Sequence, residues 1–424
     1  MRQILKTLLF LFGGIVGGYL LLVLVFCLPL GRINNNVLES ATSFNGEYTV
    51  LVKDNITTKT DDYTDALMLL TAKDNTDRNP FTSSIYIYHL DGGDVGDDPD
   101  TVITDLNNLE YASDSYNRYW HGYLLFLKPL LMFFNYQQIQ VLISFAVLAL
   151  IVLVIYLLQK KDLSKYIIPY TITMVLMFPA TIMLSMQYFA IFAIFNLAIV
   201  VILLFFDKIL KTKNFFYLFL TIGMLTCYFD LLTYPVVTLG IPLLIWLILL
   251  NKEKVLSLKK NIGQIVLGSV AWGIGYFGIW FGKWALGCVI TGKNLISSAL
   301  GQAEYRASST TALEEISRFD PIIKVFENIF TSPAVFVLVL LVILILILLI
   351  TKKIEFNKRK IKNNLWMFIV ALIPLVWYMA LANHSLWHMF FTYRTMMVLV
   401  FAIGCYIISI LEKPEKLKKK KDNG

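Results

Sequence analysis

The sequence predicts an all-α polytopic membrane protein of about ten transmembrane helices, with a large extracytoplasmic first loop carrying a small mixed element and an interfacial helix. Three observations carry this. Of 424 residues, 57% are hydrophobic and only 16% charged, and the mean hydropathy is +0.67, a composition that no soluble domain of this size presents to water. A span needs roughly 20 mostly apolar residues, and such runs recur at 8–28, 139–158, 166–184, 189–206, 215–229, 234–250, 262–281, 334–350, 366–381 and 390–411. Basic and acidic residues also separate onto alternating segments between the runs.

The first run, 8–28, is longer than the apolar part of a cleavable signal, and no small-residue cleavage pattern follows Cys27, so it reads as a retained span. Its GGIVGG segment sets Gly13, Gly14, Gly17 and Gly18 at the small-xxx-small spacing that admits a close helix neighbour; a lipid-facing glycine face is the other reading. Residues 29–136 follow, far more than a connector requires. Within them 47–53 (EYTVLVK) and 84–90 (SIYIYHL) alternate as short strands do, 63–72 reads as a short helix, and 91–100 (DGGDVGDDPD) as a turn-rich loop. From 111 to 134, Trp120, Tyr123, Leu124, Leu127, Leu130, Leu131 and Phe134 recur at helical spacing, interrupted by Arg118, His121 and Lys128, the pattern of a helix lying in the interface. Spans two to seven are expected in 137–281, a second outer loop in 282–332, spans eight to ten in 333–411, and a basic tail in 412–424.

Lys and Arg near span ends are retained in the cytoplasm. From Arg2 and Lys6 onward they gather in every second segment, through Lys160, Lys161 and Lys165, then Lys208, Lys211 and Lys213, then Lys252 to Lys260, 352–362 and 413–421. Most of the acidic residues fall in the intervening segments. Both termini are therefore expected in the cytoplasm of a cell (plasma) membrane protein, with the first loop outside. The net charge of +8 hides two oppositely charged faces, and the cations lie where anionic headgroups meet them, so the bilayer and not nucleic acid is the expected partner. Cys27, Cys227, Cys288 and Cys405 lie in or beside apolar runs without CxxC spacing, which suggests neither a zinc site nor a disulfide framework.

Ionisable residues at membrane depth cost about 2.5 to 3.5 kcal/mol each on insertion scales, so those tolerated near span ends are functional candidates. Asp61, Asp62 and Asp65 precede the apolar stretch ALMLL. Asp62 and Asp65, three residues apart, share a helix side and read as N-caps, as a general base toward an acceptor hydroxyl, or as metal ligands. The DGGDVGDDPD run departs from the calcium-loop template and reads as a solvated turn, with a divalent ion as the alternative. His384 and His388 have the i, i+4 spacing of a metal pair, but Ser385-Leu386-Trp387 between them lacks the Glu of a zinc protease. Hydrogen bonds to neighbouring helices, or contacts to a phosphate or sugar, are their other readings. Asp230, in YFDLLTYP, stands at a span end. Arg118, His121, Lys283, Arg306 and Arg394 are the cations best placed to meet a lipid-linked phosphate, unless they snorkel or pair with outer carboxylates. No metal site is assigned and no cofactor is expected.

With Asp61-Asp62-Tyr63-Thr64-Asp65 in the first loop and Tyr116-Asn117-Arg118-Tyr119-Trp120-His121-Gly122-Tyr123 opening the interfacial segment, the layout resembles the C-type superfamily of integral-membrane glycosyltransferases. The phrases YFDLLTYP and ANHSLWHMFFTYR are similar to those of uncharacterised bacterial multi-span proteins. The resemblance implies metal-independent, inverting transfer of a hexosyl or pentosyl group from a polyprenyl-phosphate-linked sugar to a cell-envelope glycan or lipid acceptor. It implies Asp62 or Asp65 as base, with Asp61 third, and Arg118, Arg306 and Arg394 on the donor phosphate; His121, Asp230, His384 and His388 complete the candidate binding face. Two alternatives stand beside it. An outer-leaflet glycan polymerase or ligase would lean on Arg306 and Arg318 in 282–332, and a lipid or polysaccharide transporter on polar groups within spans, for which Asn196 and Gln264 are the candidates.

Overall fold

Lipid offers no hydrogen-bond partners to a peptide backbone, so apolar runs satisfy their amides internally and fold as helices. The computed structural model describes residues 2–44, 49–73, 79–89, 114–115, 117–309, 315–331 and 335–414. The acidic run 91–100 and most of the basic tail lie outside the described residues. In chain order the helices are α1 (Arg2–Phe26), α2 (Leu30–Ala41), α3 (Asp62–Lys73), α4 (Pro80–Ser83), α5 (Leu124–Leu131), α6 (Tyr136–Lys160) and α7 (Ile167–Leu176). There follow α8 (Pro179–Leu184), α9 (Met186–Thr212), α10 (Phe215–Phe229), α11 (Val237–Glu253), α12 (Leu258–Thr291), α13 (Leu295–Ala307) and α14 (Asp320–Thr331). The last are α15 (Val335–Ile350), α16 (Lys358–Asn363), α17 (Trp366–Ala371), α18 (Ile373–Ala380), α19 (Ala382–Trp387), α20 (Met389–Thr392) and α21 (Met397–Ile410).

Among the described residues, five helical stretches are long and apolar enough to cross a membrane: α1, α6, α9, α12 and the stretch Met389–Ile410. The other apolar runs give shorter helices, so the expected ten spans are not matched by ten helices of crossing length. Two breaks show why. Run 166–184 is interrupted at Phe178, whose φ of 54° is left-handed, and Pro179 then opens α8. Run 366–381 divides between α17 and α18, with a proline in the first turn of α18, where the missing N–H is tolerated.

The faces that α6 and α15 leave uncovered are apolar: Phe145 is 69% exposed, Val152 65% and Ile350 78%. That surface suits lipid, not water. Inside the bundle α10 and α12 touch backbone to backbone. A Cβ on Gly223 would lie 2.1 Å from the Trp272 carbonyl oxygen, and one on Gly275 2.1 Å from that of Leu220. In the GGIVGG segment, Gly14 and Gly18 face Met224 and Tyr228 of α10, whereas Gly13 and Gly17 face open space. Both readings of that segment therefore hold, on opposite sides of one helix.

The first loop departs from expectation in two places. The segments expected as strands, 47–53 and 84–90, are strand only in part among the described residues: 49–53 has a single bridge, Val50 to Lys59, and 84–89 is strand only in β1 (Tyr88–His89), which pairs antiparallel with β2 (Asp114–Ser115). A second two-residue ladder joins β3 (Glu355–Phe356) to β4 (Leu411–Glu412). The interfacial helix is only α5. Residues 117–123 are non-helical because His121 takes a φ of 57° and the Gly122 amide donates to the Tyr228 carbonyl at 2.9 Å. Phe126 and Phe133 keep the interfacial character, at 63% and 66% exposure, but Lys128 is fully buried. The segment expected as a second outer loop is largely helical, since α12 runs on to Thr291 and α13 and α14 follow.

Candidate active site

The predicted helix 63–72 appears as α3 and is fastened at both ends. At its start Asp61 accepts from the Thr64 amide at 3.1 Å and the Thr64 hydroxyl at 2.9 Å, the N-cap bonds expected of an Asp in this position. At its end the buried Lys128 ammonium donates to the Ala72 carbonyl at 2.8 Å, a cation at a helix C-terminus.

Asp65 carries the connection to the bundle. Its side chain is fully buried and accepts from the first two amides of α9, Met186 at 2.8 Å and Gln187 at 3.0 Å. A carboxyl placed there meets the orphan donors and positive end of the helix. The Tyr136 hydroxyl, at the start of α6, lies 2.7 Å from Asp65 Oδ2 and 3.0 Å from the Leu184 carbonyl. One hydroxyl proton cannot serve both acceptors. Burial pushes the Asp65 carboxyl well above the usual range, and a protonated Asp65 resolves the geometry by donating to Tyr136 while Tyr136 donates to Leu184. A protonated, enclosed carboxyl is poorly suited to be a base.

Asp61 is also buried, its amide donating to Ser185 Oγ at 2.9 Å, and burial raises its carboxyl to about 6 against the opposing Thr64 bonds. Asp62 differs from both. It is half-buried, and one of its oxygens accepts from the Thr49 amide and hydroxyl at 3.2 and 3.1 Å. Lys59 stands beside the cluster, its ammonium 4.5 Å from the Phe390 ring centroid. Burial holds Lys59 below the ordinary lysine range, opposed by the charges of Asp61 and Asp62.

Arg394 lies at the other end of α8. It is fully buried, with Nε donating to the Met177 carbonyl at 3.0 Å, Nη1 to Phe390 at 3.3 Å and Nη2 to Thr181 Oγ1. Its guanidinium lies 4.3 Å from the Tyr188 ring centroid and 4.7 Å from that of Tyr393, inside cation–π range. Asp65 and Arg394 thus close the two helix breaks that flank α8. Expected on a donor phosphate, Arg394 instead spends its donors on the protein interior.

A second polar group adjoins the first. Asp230 accepts from the Thr233 amide at 3.0 and 3.1 Å, an Asx turn in which Leu232 has a φ of 67°. The Leu232 carbonyl so presented lies 2.8 Å from His384 Nε2, which donates to it, and His384 Nδ1 accepts from Arg306 Nη1. Both nitrogens of His384 are engaged, so it has no lone pair left for a metal. His388 is half-buried and stacked on Phe391 at 5.0 Å between centroids. Burial, followed by the charges of Arg306 and Lys59, lowers His388 to about 3; burial, with Arg306 and His388, also lowers His384. Both imidazoles are neutral at pH 7. Burial raises Asp230 to about 7 against its own hydrogen bonds.

Arg118 and His121 form a third group. The Arg118 carbonyl accepts from the indoles of Trp280 and Trp284 at 2.6 and 3.1 Å, and buried His121 faces the Tyr123 hydroxyl at 3.1 Å. They are not one helical turn apart on a helix, as the spacing suggests, since no helix forms there. Lys283 is buried on α12 and donates to the Ile85 carbonyl. Asn196 is fully buried and hydrogen-bonded to Tyr170 at 2.7 Å. Lys59, Ser185, Tyr136 and Tyr188 were not legible as site residues; only the Asn135 capping box before Tyr136 leaves a sequence signal, and it marks a helix start.

Raised carboxyls make stability depend on pH. Below about pH 3, Asp61 and Asp230 hold protons in both the folded and unfolded chain. Between about 4 and 7 the unfolded chain releases them first, so the stability that these two groups contribute falls as pH rises. Asp61 alone accounts for roughly 3 kcal/mol of that trend. Lowered His384 and His388 contribute with the opposite sign below about pH 6.5, so the check is a difference. The melting temperature of detergent-purified wild type relative to Asp61→Asn, which retains an N-cap oxygen, is expected to fall between about pH 4 and 6, and parallel curves would refute the assignment.

Compared with known protein families, curated proteins and solved structures, the chain has no match.

Proposed function

We propose that this protein is a glycosyltransferase that moves a sugar from a polyprenyl-phosphate donor to a cell-envelope glycan or lipid acceptor on the extracytoplasmic face. The observation that supports this most is the docking of α3 onto the start of α9 through Asp65, which leaves Asp62 half-exposed beside Lys59. In this reading Asp62 is the base. It takes the proton of the acceptor hydroxyl as the acceptor oxygen bonds to the sugar C1, and the bond from C1 to the phosphate oxygen breaks with its electron pair leaving on polyprenyl phosphate. Lys59, Arg306 and Arg118, all half-exposed, receive that negative charge. Asp65 and Arg394 are positioning residues that hold α8 and, with it, the acidic helix.

A transporter draws on broken helices at membrane depth, and α7, α8 and α9 are broken. Both breaks are closed by the protein's own side chains, which favours a fixed platform over a moving one.

The test uses protein in nanodiscs with a panel of short-chain polyprenyl-phosphate hexoses and pentoses, reading released polyprenyl phosphate by mass spectrometry. Wild type is expected to turn over at least one donor, and Asp62→Asn to lose about hundredfold or more in rate with an unchanged melting temperature. Wild-type turnover by Asp62→Asn would remove the base, and lipid movement without donor cleavage would replace the enzyme reading with transport.

A further inference from the structure

At the opposite end of the bundle lies a second candidate binding site. Helix α6, 25 residues long, starts at Tyr136, on Asp65, and ends at Lys160, about 36 Å away at 1.5 Å per residue. Just past that end, a cleft of about 370 Å³ opens between the turn after α6, the end of α11, α16, the start of α17 and the end of α21.

Three lysines line it, Lys165, Lys252 and Lys360, against one carboxylate, Asp162. Lys252 reaches Asp162 at 3.4 Å, and Lys360 pairs with Glu412 at 3.0 Å. Lys165 has no carboxylate partner among the described residues; its ammonium lies 4.8 Å from the Tyr166 ring centroid. Partial burial and the Lys360 charge both push it below the ordinary lysine range. Trp366 also lines the cleft, 1% exposed, and its Nε1–H has no hydrogen-bond partner among the described residues. An excess of cations, with Lys165 left without a carboxylate among the described residues, calls for an anion. Val255 on the rim is 61% exposed, and nearby Ile168 and Phe368 are 48% and 41% exposed, so the cleft opens beside an apolar surface.

We propose that this cleft seats the phosphate of an anionic phospholipid headgroup, with Lys165 and Lys360 on the phosphate and the acyl chains against the apolar rim. The site is independent of the chemistry proposed at the other end.

Native mass spectrometry of detergent-purified full-length protein titrated with phosphatidylglycerol or phosphatidylethanolamine tests it. Wild type is expected to retain phosphatidylglycerol more tightly. Lys165→Gln should weaken that retention about fivefold and Lys165→Gln/Lys360→Gln about 25-fold, with a smaller loss for phosphatidylethanolamine, whose ammonium offsets its phosphate charge. Should the double variant fail to fold, Lys165→Gln and Lys360→Gln as single variants carry the comparison, each expected to weaken phosphatidylglycerol retention about fivefold. Unchanged phosphatidylglycerol binding in the variants overturns the proposal. So does displacement by millimolar inorganic phosphate with the same lysine dependence, which would assign the cleft to a soluble phosphate compound.

Discussion

Asp65→Ala is expected to destabilise the protein by about 3 to 5 kcal/mol, the range for leaving buried polar or charged partners without a counterpart. The alanine strands two groups, the Met186 and Gln187 amides, and takes from the Tyr136 hydroxyl one of its two partners, leaving it the Leu184 carbonyl. Neither amide has an intrahelical alternative, since both belong to the first turn of α9. Asp65→Asn is expected to be milder. Its carbonyl oxygen can accept from Gln187 and its amide can donate to Tyr136 as a protonated carboxyl does, leaving mainly Met186 unmet. Tyr136→Phe should cost least, about 1 to 2 kcal/mol, because the helix start keeps its acceptors. Thermal unfolding of the three variants in one detergent checks the order. An Asp65→Ala protein that melts with wild type would mean that α3 is not fastened through this carboxyl. The same series separates structure from chemistry: Asp65→Ala should lose fold and activity together, whereas Asp62→Asn should lose activity alone.

The sequence carries local patterns well and long-range ones poorly, and the site is built from long-range ones. Helix α3 was legible to within a residue at each end because its cap, its Asp pair and its apolar stretch are contiguous. The membrane class was legible because it is a property of composition. The break at Phe178 was not. Phenylalanine has no local reason to adopt a positive φ, and what holds it there is Arg394 on the Met177 carbonyl, 217 positions along the chain. Asp65 shows the same limit: as a residue in a first turn it reads as a cap for its own helix, yet the amides it serves are those of α9. His121 and Gly122 interrupt a good amphipathic pattern because Gly122 must approach Tyr228; a Cβ there would meet the Tyr228 carbonyl oxygen at 2.4 Å. Helical periodicity counts side chains and is blind to that backbone contact.

Replacement of Arg394 should show an inverted order, with lysine more damaging than methionine. The guanidinium has no carboxylate within ion-pair reach among the described residues; carbonyls, one hydroxyl and aromatic faces surround it. Its removal orphans little. The Met177 carbonyl shares the Tyr393 hydroxyl, 3.0 Å away, with the Thr57 carbonyl at 3.1 Å, and Thr181 Oγ1 already donates to the Phe178 carbonyl at 2.9 Å. A methionine of similar reach fills the space among Tyr188, Tyr234 and Tyr393, and replacing a buried ion with an apolar side chain is often close to neutral. A lysine keeps the full charge but concentrates it on one ammonium that cannot span three acceptors, so a cost of about 3 to 5 kcal/mol is expected. Melting temperatures of Arg394→Met and Arg394→Lys decide this, and a lysine variant as stable as wild type would refute it. The pair also locates the donor phosphate. If Lys59 and Arg306 hold it, Arg394→Met binds polyprenyl phosphate within about twofold of wild type, while Lys59→Gln weakens binding by about tenfold, a single charge-assisted contact. Equal loss in both would instead bring Arg394 into direct contact with the donor, through an opening of α8 away from α9.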